Sequence, residues 1–327
     1  MLALWHARPA LLALALLTCA SATDVSNGAP EPPTYRSTVS EVRVTFFATD
    51  ENHHPVPTLA NSDFAVVDDE RVVRKFRSFT RSDETSLEVL VLVDASQSVA
   101  PRFQLAVSDV VQLVTREQSI PEDNISVLSF GGTSQGSFQA KPGAASANPQ
   151  PAILCSSGCR TSGSVNKLLA VKSSGTTPLF DALIFGADFI SHHRRAGVRP
   201  VLILFSDGND TISLLSSLDA LQAITAGGAL IYSVDIGGPR NQPSGSTFLQ
   251  RISEATGGRY FSMRSTQQDS ASAVLNVVLE DLRASYVVTY DLPSHQAGFH
   301  AIRLLPTHNL NLTFHNRNGY YYEPSLR

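Results

Sequence analysis

Apolar and polar positions alternate between residues 41 and 48, with Val42, Val44 and Phe46 on one side, the period-two signature of a half-buried strand. Residues 63–68 and 72–79 continue in that manner and read as a hairpin turning at Asp69-Glu70. From Leu87 the pattern changes. Residues 87–93 form a short, almost wholly apolar run rich in β-branched side chains, which predicts a strand covered on both faces, as in a parallel sheet. Residues 125–130, 201–205, 230–236 and 259–262 predict further strands, and helical spacing fills the intervals. Over 101–117, Phe103, Val107, Val110, Val111 and Val114 share one face; 178–190 carries Leu179, Leu183, Phe185 and Phe189; 213–226, 247–256 and 269–284 complete the helices. Strands alternating with helices define the α/β class, with a doubly wound, mostly parallel sheet. Residues 286–291, 299–305 and 310–314 then read as strands again. Neither flank has enough strands for a sandwich of its own. The expectation is therefore a small all-β domain made jointly from 37–84 and 285–327, with the α/β domain of 85–284 inserted between them.

Composition narrows the partners. With 17% charged residues and a net charge of −4, and no basic cluster longer than His192-His193-Arg194-Arg195, the chain does not suit nucleic acid. Residues 1–22 read as a secretory signal: His6 and Arg8 precede the apolar residues 10–17, and Ala20-Ser21-Ala22 offers a cleavage site. That core is shorter than the ~20 residues of a membrane span, and no later run approaches such a length, so no transmembrane helix is expected in the mature chain. Leu16-Leu17-Thr18-Cys19 loosely resembles a bacterial lipobox, making lipid anchoring at Cys19 a minor alternative to a secreted or periplasmic form. Residues 23–36, rich in Pro and turn formers, read as a linker. Removal of Cys19 leaves Cys155 and Cys159, a candidate disulfide in an exported protein, within a Gly-, Ala-, Ser- and Pro-rich stretch over 131–161 that reads as a surface excursion. His53-His54 falls in a turn and reads as solvated.

Candidate chemistry begins where the first buried strand ends, at Asp94-Ala95-Ser96-Gln97-Ser98. In extended chain, positions 94, 96 and 98 project to one side, so one carboxylate and two hydroxyls converge. Such a trio makes no acid-base or nucleophile-base pair, but it suits a hard divalent cation. The competing reading makes Ser98 a helix cap and Asp94 a turn residue. Thr177 stands before Pro178 at a helix entrance, where it reads as a cap or as a further oxygen donor. Asp207, in Ser206-Asp207-Gly208-Asn209-Asp210, occupies the same topological place as Asp94, at the sheet edge where open α/β folds bind ligands. A different chemistry is offered by Gly132-Thr133-Ser134-Gln135-Gly136, which matches the G-x-S-x-G of serine hydrolases and is followed along the chain by Asp207 and His300. The strained serine turn needs a helix straight afterwards, and Pro142-Gly143 argues against one.

Asp94-x-Ser96-x-Ser98, Thr177 and Asp207-Gly208, in that order, resemble the metal-ion-dependent adhesion site of the von Willebrand factor A domain, over roughly residues 87–284. The flanks, Val42-Arg43-Val44 through Asp63-Phe64-Ala65-Val66-Val67-Asp68-Asp69 and the closing Asn318-Gly319-Tyr320-Tyr321, look like the exported von Willebrand-related family described mainly in acidobacteria. Two departures stand out: Asp69-Glu70 replaces the Asp-Gly usual at that turn, and the threonine is doubled as Thr176-Thr177, of which Thr177 aligns with Pro178 and the helix after it. The resemblance implies that Ser96, Ser98 and Thr177 bind a magnesium-like ion (manganese or calcium being alternatives) through their hydroxyls, with Asp94 and Asp207 acting directly or through water. It further implies a non-enzymatic module whose protein partner presents an Asp or Glu to the metal. A structural envelope protein with a vestigial metal site is the third reading, beside the hydrolase.

Overall fold

The computed structural model describes residues 41–82, 86–116, 120–131, 150–193, 195, 198–237, 243–263, 271–294 and 296–322. The N-terminal flank supplies β1 (Glu41–Thr49), β2 (Phe64–Asp68), β3 (Arg71–Val72) and β4 (Ser78–Arg81). Then follow β5 (Leu87–Asp94), a 3-10 turn (Gln97–Val99), α1 (Ala100–Arg116), β6 (Ile125–Phe130), β7 (Ala152–Cys155), α2 (Ser162–Ala170), α3 (Leu179–His193) and β8 (Arg199–Ser206). The α/β part ends with α4 (Ser217–Gly227), β9 (Leu230–Asp235), α5 (Pro243–Thr256), β10 (Tyr260–Ser262) and α6 (Ala271–Arg283). The C-terminal flank is β11 (Tyr286–Asp291), β12 (Gly298–Pro306), β13 (Thr313–Asn316) and β14 (Gly319–Tyr322).

The central sheet runs β10-β9-β8-β5-β6-β7, parallel except for the edge strand β7. Its two faces are written into the alternation of β5. Val89, Val91 and Val93 enter one core with Phe103, Val107, Val110 and Val114 of α1 and Val278 and Leu282 of α6. Leu90 and Leu92 enter the other, with Leu179 and Leu183 of α3, Ile224 of α4 and Leu249 and Ile252 of α5. Burial on both faces is why the strand shows no polar alternation. Such a sheet delivers the carboxyl ends of β5 and β8 side by side to one rim.

The flanks close on each other. One antiparallel sheet runs β13-β1-β11-β4 and the other β14-β12-β2-β3, so each mixes strands from before and after the α/β part. Val42, Val44 and Phe46 of β1 share a core with Phe64 and Val66 of β2, Val288 and Tyr290 of β11, and Ile302 and Leu304 of β12.

Several element boundaries differ from expectation. The stretch 72–79 is not one strand: Val72 pairs with Val67, whereas Ser78–Arg81 pairs with β11 in the other sheet, and the chain crosses between them with Phe76 stacked on Phe64. Asp69 and Glu70 both take positive φ, 44° and 67°, the signature of a type I′ hairpin turn, although no glycine is present. The excursion 131–161 returns as β7, with Cys155 bonded to Cys159 (S–S 1.99 Å). Residues 162–170 form a helix, capped by Thr161, that periodicity does not announce because only Leu168 is buried. The helix expected from 213 begins at Ser217, and the strand expected from 310 at Thr313. The secretory signal with Cys19, the linker and Ser134 lie outside the described residues. Among the described residues, no helix is long and apolar enough to cross a membrane.

Candidate metal centre

Parallel pairing of β5 with β8, with Val93 opposite Phe205, brings Asp94 and Ser206 to the same level of the rim, with Asp207 next in the chain. Asp94 is wholly buried; its Oδ1 accepts from the Ser96 amide at 2.9 Å and its Oδ2 from the Ser206 hydroxyl at 2.7 Å. The cap position of the 3-10 turn belongs to Ser96, yet its side chain makes no capping bond. Its Oγ lies instead 3.0 Å from Oγ of Ser98. Ser96 is buried and Ser98 exposed, so the hydroxyl pair leads from the interior to the surface. Asp207 is buried, and its Oδ1 accepts from the Asn209 amide at 3.1 Å.

The threonine segment is threaded between these two loops. On one side the Ser174 amide donates to the Ala95 carbonyl (2.8 Å), Gln97 N to the Gly175 carbonyl (3.1 Å), and the Ser173 hydroxyl to the Ser96 carbonyl. On the other, the Thr177 amide donates to Thr211 Oγ1 (2.8 Å) and Thr211 N returns to the Thr177 carbonyl (2.9 Å). Thr177 is thereby fixed with 2% of its surface exposed. Gly131, at φ 71°, lets β6 leave the sheet between the loops: a Cβ there would lie 2.9 Å from the Thr176 carbonyl oxygen and 3.1 Å from the Ser96 nitrogen.

Burial pushes the Asp94 carboxyl up to about 7, against the bonds from Ser96 and Ser206 that favour its charge; the neighbouring Asp207 carboxylate adds repulsion. Two buried carboxylates beside serine and threonine hydroxyls are oxygen donors of the kind a hard divalent cation takes, and its charge would relieve their repulsion. No histidine or cysteine belongs to this group of five, so it contains neither an imidazole base nor a thiol nucleophile.

A second group lies in the flank sheets. Asp68, Asp69 and His300 offer ligand atoms within 4.8 Å of one another, close enough for a divalent cation to bridge. Here those atoms are engaged otherwise. His300 Nδ1 meets Asp69 Oδ2 at 2.5 Å, Nε2 meets the Gln296 carbonyl at 2.8 Å, and Asp68 accepts from the hydroxyls of Tyr290 and Tyr320. Burial works against a charged His300 ring, but the Gln296 carbonyl and the Asp69 carboxylate outweigh it and raise its pKa. His300 is thus held between Asp69 and the Gln296 carbonyl, and Ser134 of the G-x-S-x-G match lies outside the described residues.

Ser206, Ser173, Gly131 and Thr211 hold this rim without having been recognised in the sequence. Ser206 carried the best signal, as a hydroxyl at the last position of a buried strand.

The fold and this rim together define a class, an α/β domain with an oxygen-donor site at the carboxyl ends of its strands. The family model for the von Willebrand factor type A domain matches residues 88–274, more than half of the chain, and the chain belongs to that family. No curated protein matches it. Among solved structures, proximal thread matrix protein 1 from the mussel byssus is similar at 16% identity and TM-score 0.44, over 61% of this chain and 48% of that one. The chain thus spans about half the length of the mussel protein. A von Willebrand factor type A protein from Catenulispora acidiphila is similar at 10% identity and TM-score 0.42, over 88% and 76%. An aerotolerance-related membrane protein from Bacteroides fragilis is similar at 13% identity and TM-score 0.41, over 60% and 98%.

Proposed function

We propose that this chain is an exported, non-enzymatic protein-binding module that holds a divalent cation, magnesium foremost, on Asp94, Ser96, Ser98, Thr177 and Asp207. The observation that carries the reading is the paired hydroxyls of Ser96 and Ser98, 3.0 Å apart beside the buried Asp94 carboxylate, with the first serine at a helix cap position yet making no capping bond. Three hydroxyl ligands leave a bound cation underneutralised, so it retains affinity for one more anionic oxygen. A partner's Asp or Glu would supply it at the exposed Ser98 side. The chain's own part is positioning: Ser206 and the Ser96 amide orient Asp94, Thr211 fixes Thr177, and the Asn209 amide orients Asp207. Export is supported by the N-terminal signal pattern and by the Cys155–Cys159 bond, which suits an oxidising compartment.

Thermal unfolding and calorimetry with magnesium and manganese test this. A cation at a hundred times its Kd stabilises the fold by about 2.7 kcal/mol. Wild type should show a shift of that kind, and Ser98→Ala and Asp94→Asn should lose most of it. Curves that ignore the metal in all three proteins would sink the reading.

A further inference from the structure

At the foot of the central sheet, at the other end of the strands from the metal rim, a guanidinium is sealed in between the sheet and α6. Arg199 opens β8, a strand buried along its whole length, and is itself only 8% exposed. By alternation it shares a face with Val201 and Ile203, which pack in the core with α1 and α6. Its Nη2 donates to the Leu282 carbonyl in the last turn of α6 at 2.9 Å, but its Nε and Nη1 have no partner. Tyr232, paired with Ile203 from the neighbouring strand β9, belongs to the same core; it is wholly buried, and its hydroxyl has no partner either. Burial raises the Tyr232 pKa well above its ordinary value, the Asp281 carboxylate adding to this and the nearby Arg199 guanidinium opposing it, so the phenol keeps its proton and is a donor. Burial lowers Arg199 to about 10, which leaves it charged at neutral pH.

Among the described residues no carboxylate neutralises that charge. Glu88, on the adjacent strand β5, alternates with Leu87, which pairs with Arg199 and packs in the same core, so Glu88 faces the other side of the sheet. Asp281 is taken by Arg259, whose Nη1 reaches its two oxygens at 3.1 and 3.2 Å. The end of α6 offers a partial negative charge of about half a unit, and Arg43 adds repulsion. Buried polar groups are nearly always bonded, and a buried charge left unpaired is strongly destabilising. A bridging water would bring hydrogens of its own and no charge to a place that already has donors and a positive charge. We propose that Arg199 and Tyr232 bind one small monovalent anion of the class of chloride, joining β8 and β9 to the last turn of α6. The single unpaired cation sets the valence: a phosphate or sulfate dianion would bury a negative charge that nothing offsets. Lying at the opposite end of the strands from Asp94 and Asp207, the site does not rest on the metal-binding reading.

Thermal unfolding of the full chain tests the proposal, with chelator present, in sodium chloride and in sodium gluconate of equal ionic strength. Gluconate has the charge but is too large for the site. Wild type should melt at least ~2 °C higher in chloride. Arg199→Met keeps an unbranched apolar side chain, drops the charge and should lose that difference. Tyr232→Phe removes one hydroxyl; it should be as stable as wild type in gluconate and need at least ~tenfold more chloride for the same rise. Crystals of the wild type soaked in sodium bromide should show an anomalous peak between the Arg199 guanidinium and the Tyr232 hydroxyl. A chloride effect of equal size in wild type and Tyr232→Phe overturns the inference, whether or not Arg199→Met folds. Bromide confined to the protein surface, with ordered water on Arg199 and Tyr232, overturns it as well.

Discussion

Asp181→Asn isolates a clamp beneath Leu214 and Leu215, which stand exposed before α4. The wild-type carboxylate receives two amides, Leu214 N and Leu215 N, at a site 7% exposed. Hydrogen bonds to a charged acceptor contribute about 1.5–3 kcal/mol each. Asparagine keeps one oxygen but turns an NH2 toward the other amide, so one bond is lost and a donor faces a donor. Taking ~2 kcal/mol for that bond, and ~0.5 kcal/mol for removing a negative charge from the first turn of α3, gives about 2.5 kcal/mol. Undocking of the loop lets both amides reach water, so the loss should appear first as local opening rather than global unfolding. About 2.5 kcal/mol is roughly a 60-fold faster exchange of the Leu214 and Leu215 amides. Native-state hydrogen exchange reads this directly, with Ile224, buried within α4, as the internal reference. Thr211 bonds Thr177, so cation affinity should fall modestly although no ligand is altered. Unchanged protection at Leu214 and Leu215, or equal acceleration at Ile224, would refute the reasoning.

Two further tests probe separate links. Burial pushes His315 down to about 4, with Arg259 and His53 adding repulsion, and its Nε2 lies 3.0 Å from Thr49 Oγ1. A folded value below the unfolded 6.5 means the unfolded chain binds more protons, so this contribution is complete above pH 6.5 and is lost as pH falls toward 4. At pH 5 the full loss would be about 2 kcal/mol, reduced toward 1 by the solvent the half-buried ring still meets; urea unfolding at pH 7.5 and 5.0 should show His315→Gln with the shallower dependence, and equal slopes would contradict it. Gly131→Ala should cost about 1–3 kcal/mol and blunt the cation response, because its Cβ would part the Ser96 and Thr176 backbones. Gly228→Ala is the control: it shares a positive φ, 68°, but a Cβ there meets nothing within 4 Å, so equal effects on the manganese response would show the close approach to be irrelevant.

The class of fold was legible because burial on both faces leaves runs such as 87–93 and 201–205 with almost no polar position. Asp94 and Asp207 were legible for the same reason, each being the first acid after such a run. Thr177 stood out through Pro178. Gly131 could not be found this way: the atoms that demand a glycine belong to Ser96 and Thr176, distant in sequence. In the flanks alternation continues through 72–79 while the chain passes from one sheet to the other, because both sheets face one core and a period-two pattern does not say which strand is the neighbour.

The loop before α4 was misread for a different reason. Helical spacing starts the helix at Ser213, a span that takes in Leu214, Leu215 and Leu218. Two interactions override that. Ser216 and Asp219 form a capping box, which fixes the start at Ser217, and Asp181, 33 residues upstream of Leu214, claims the amides just before it. A hydrophobic pattern reports which side chains are apolar, not which side of the backbone is wet. Local rules fail in folded proteins chiefly where something other than stability shapes the chain. Here the failure falls on the segment that continues from the threonine-bearing edge of the metal rim. Leu214 and Leu215, which a helix from Ser213 would have contained, are instead held out in water by the clamp, and Leu218, inside α4, is exposed as well.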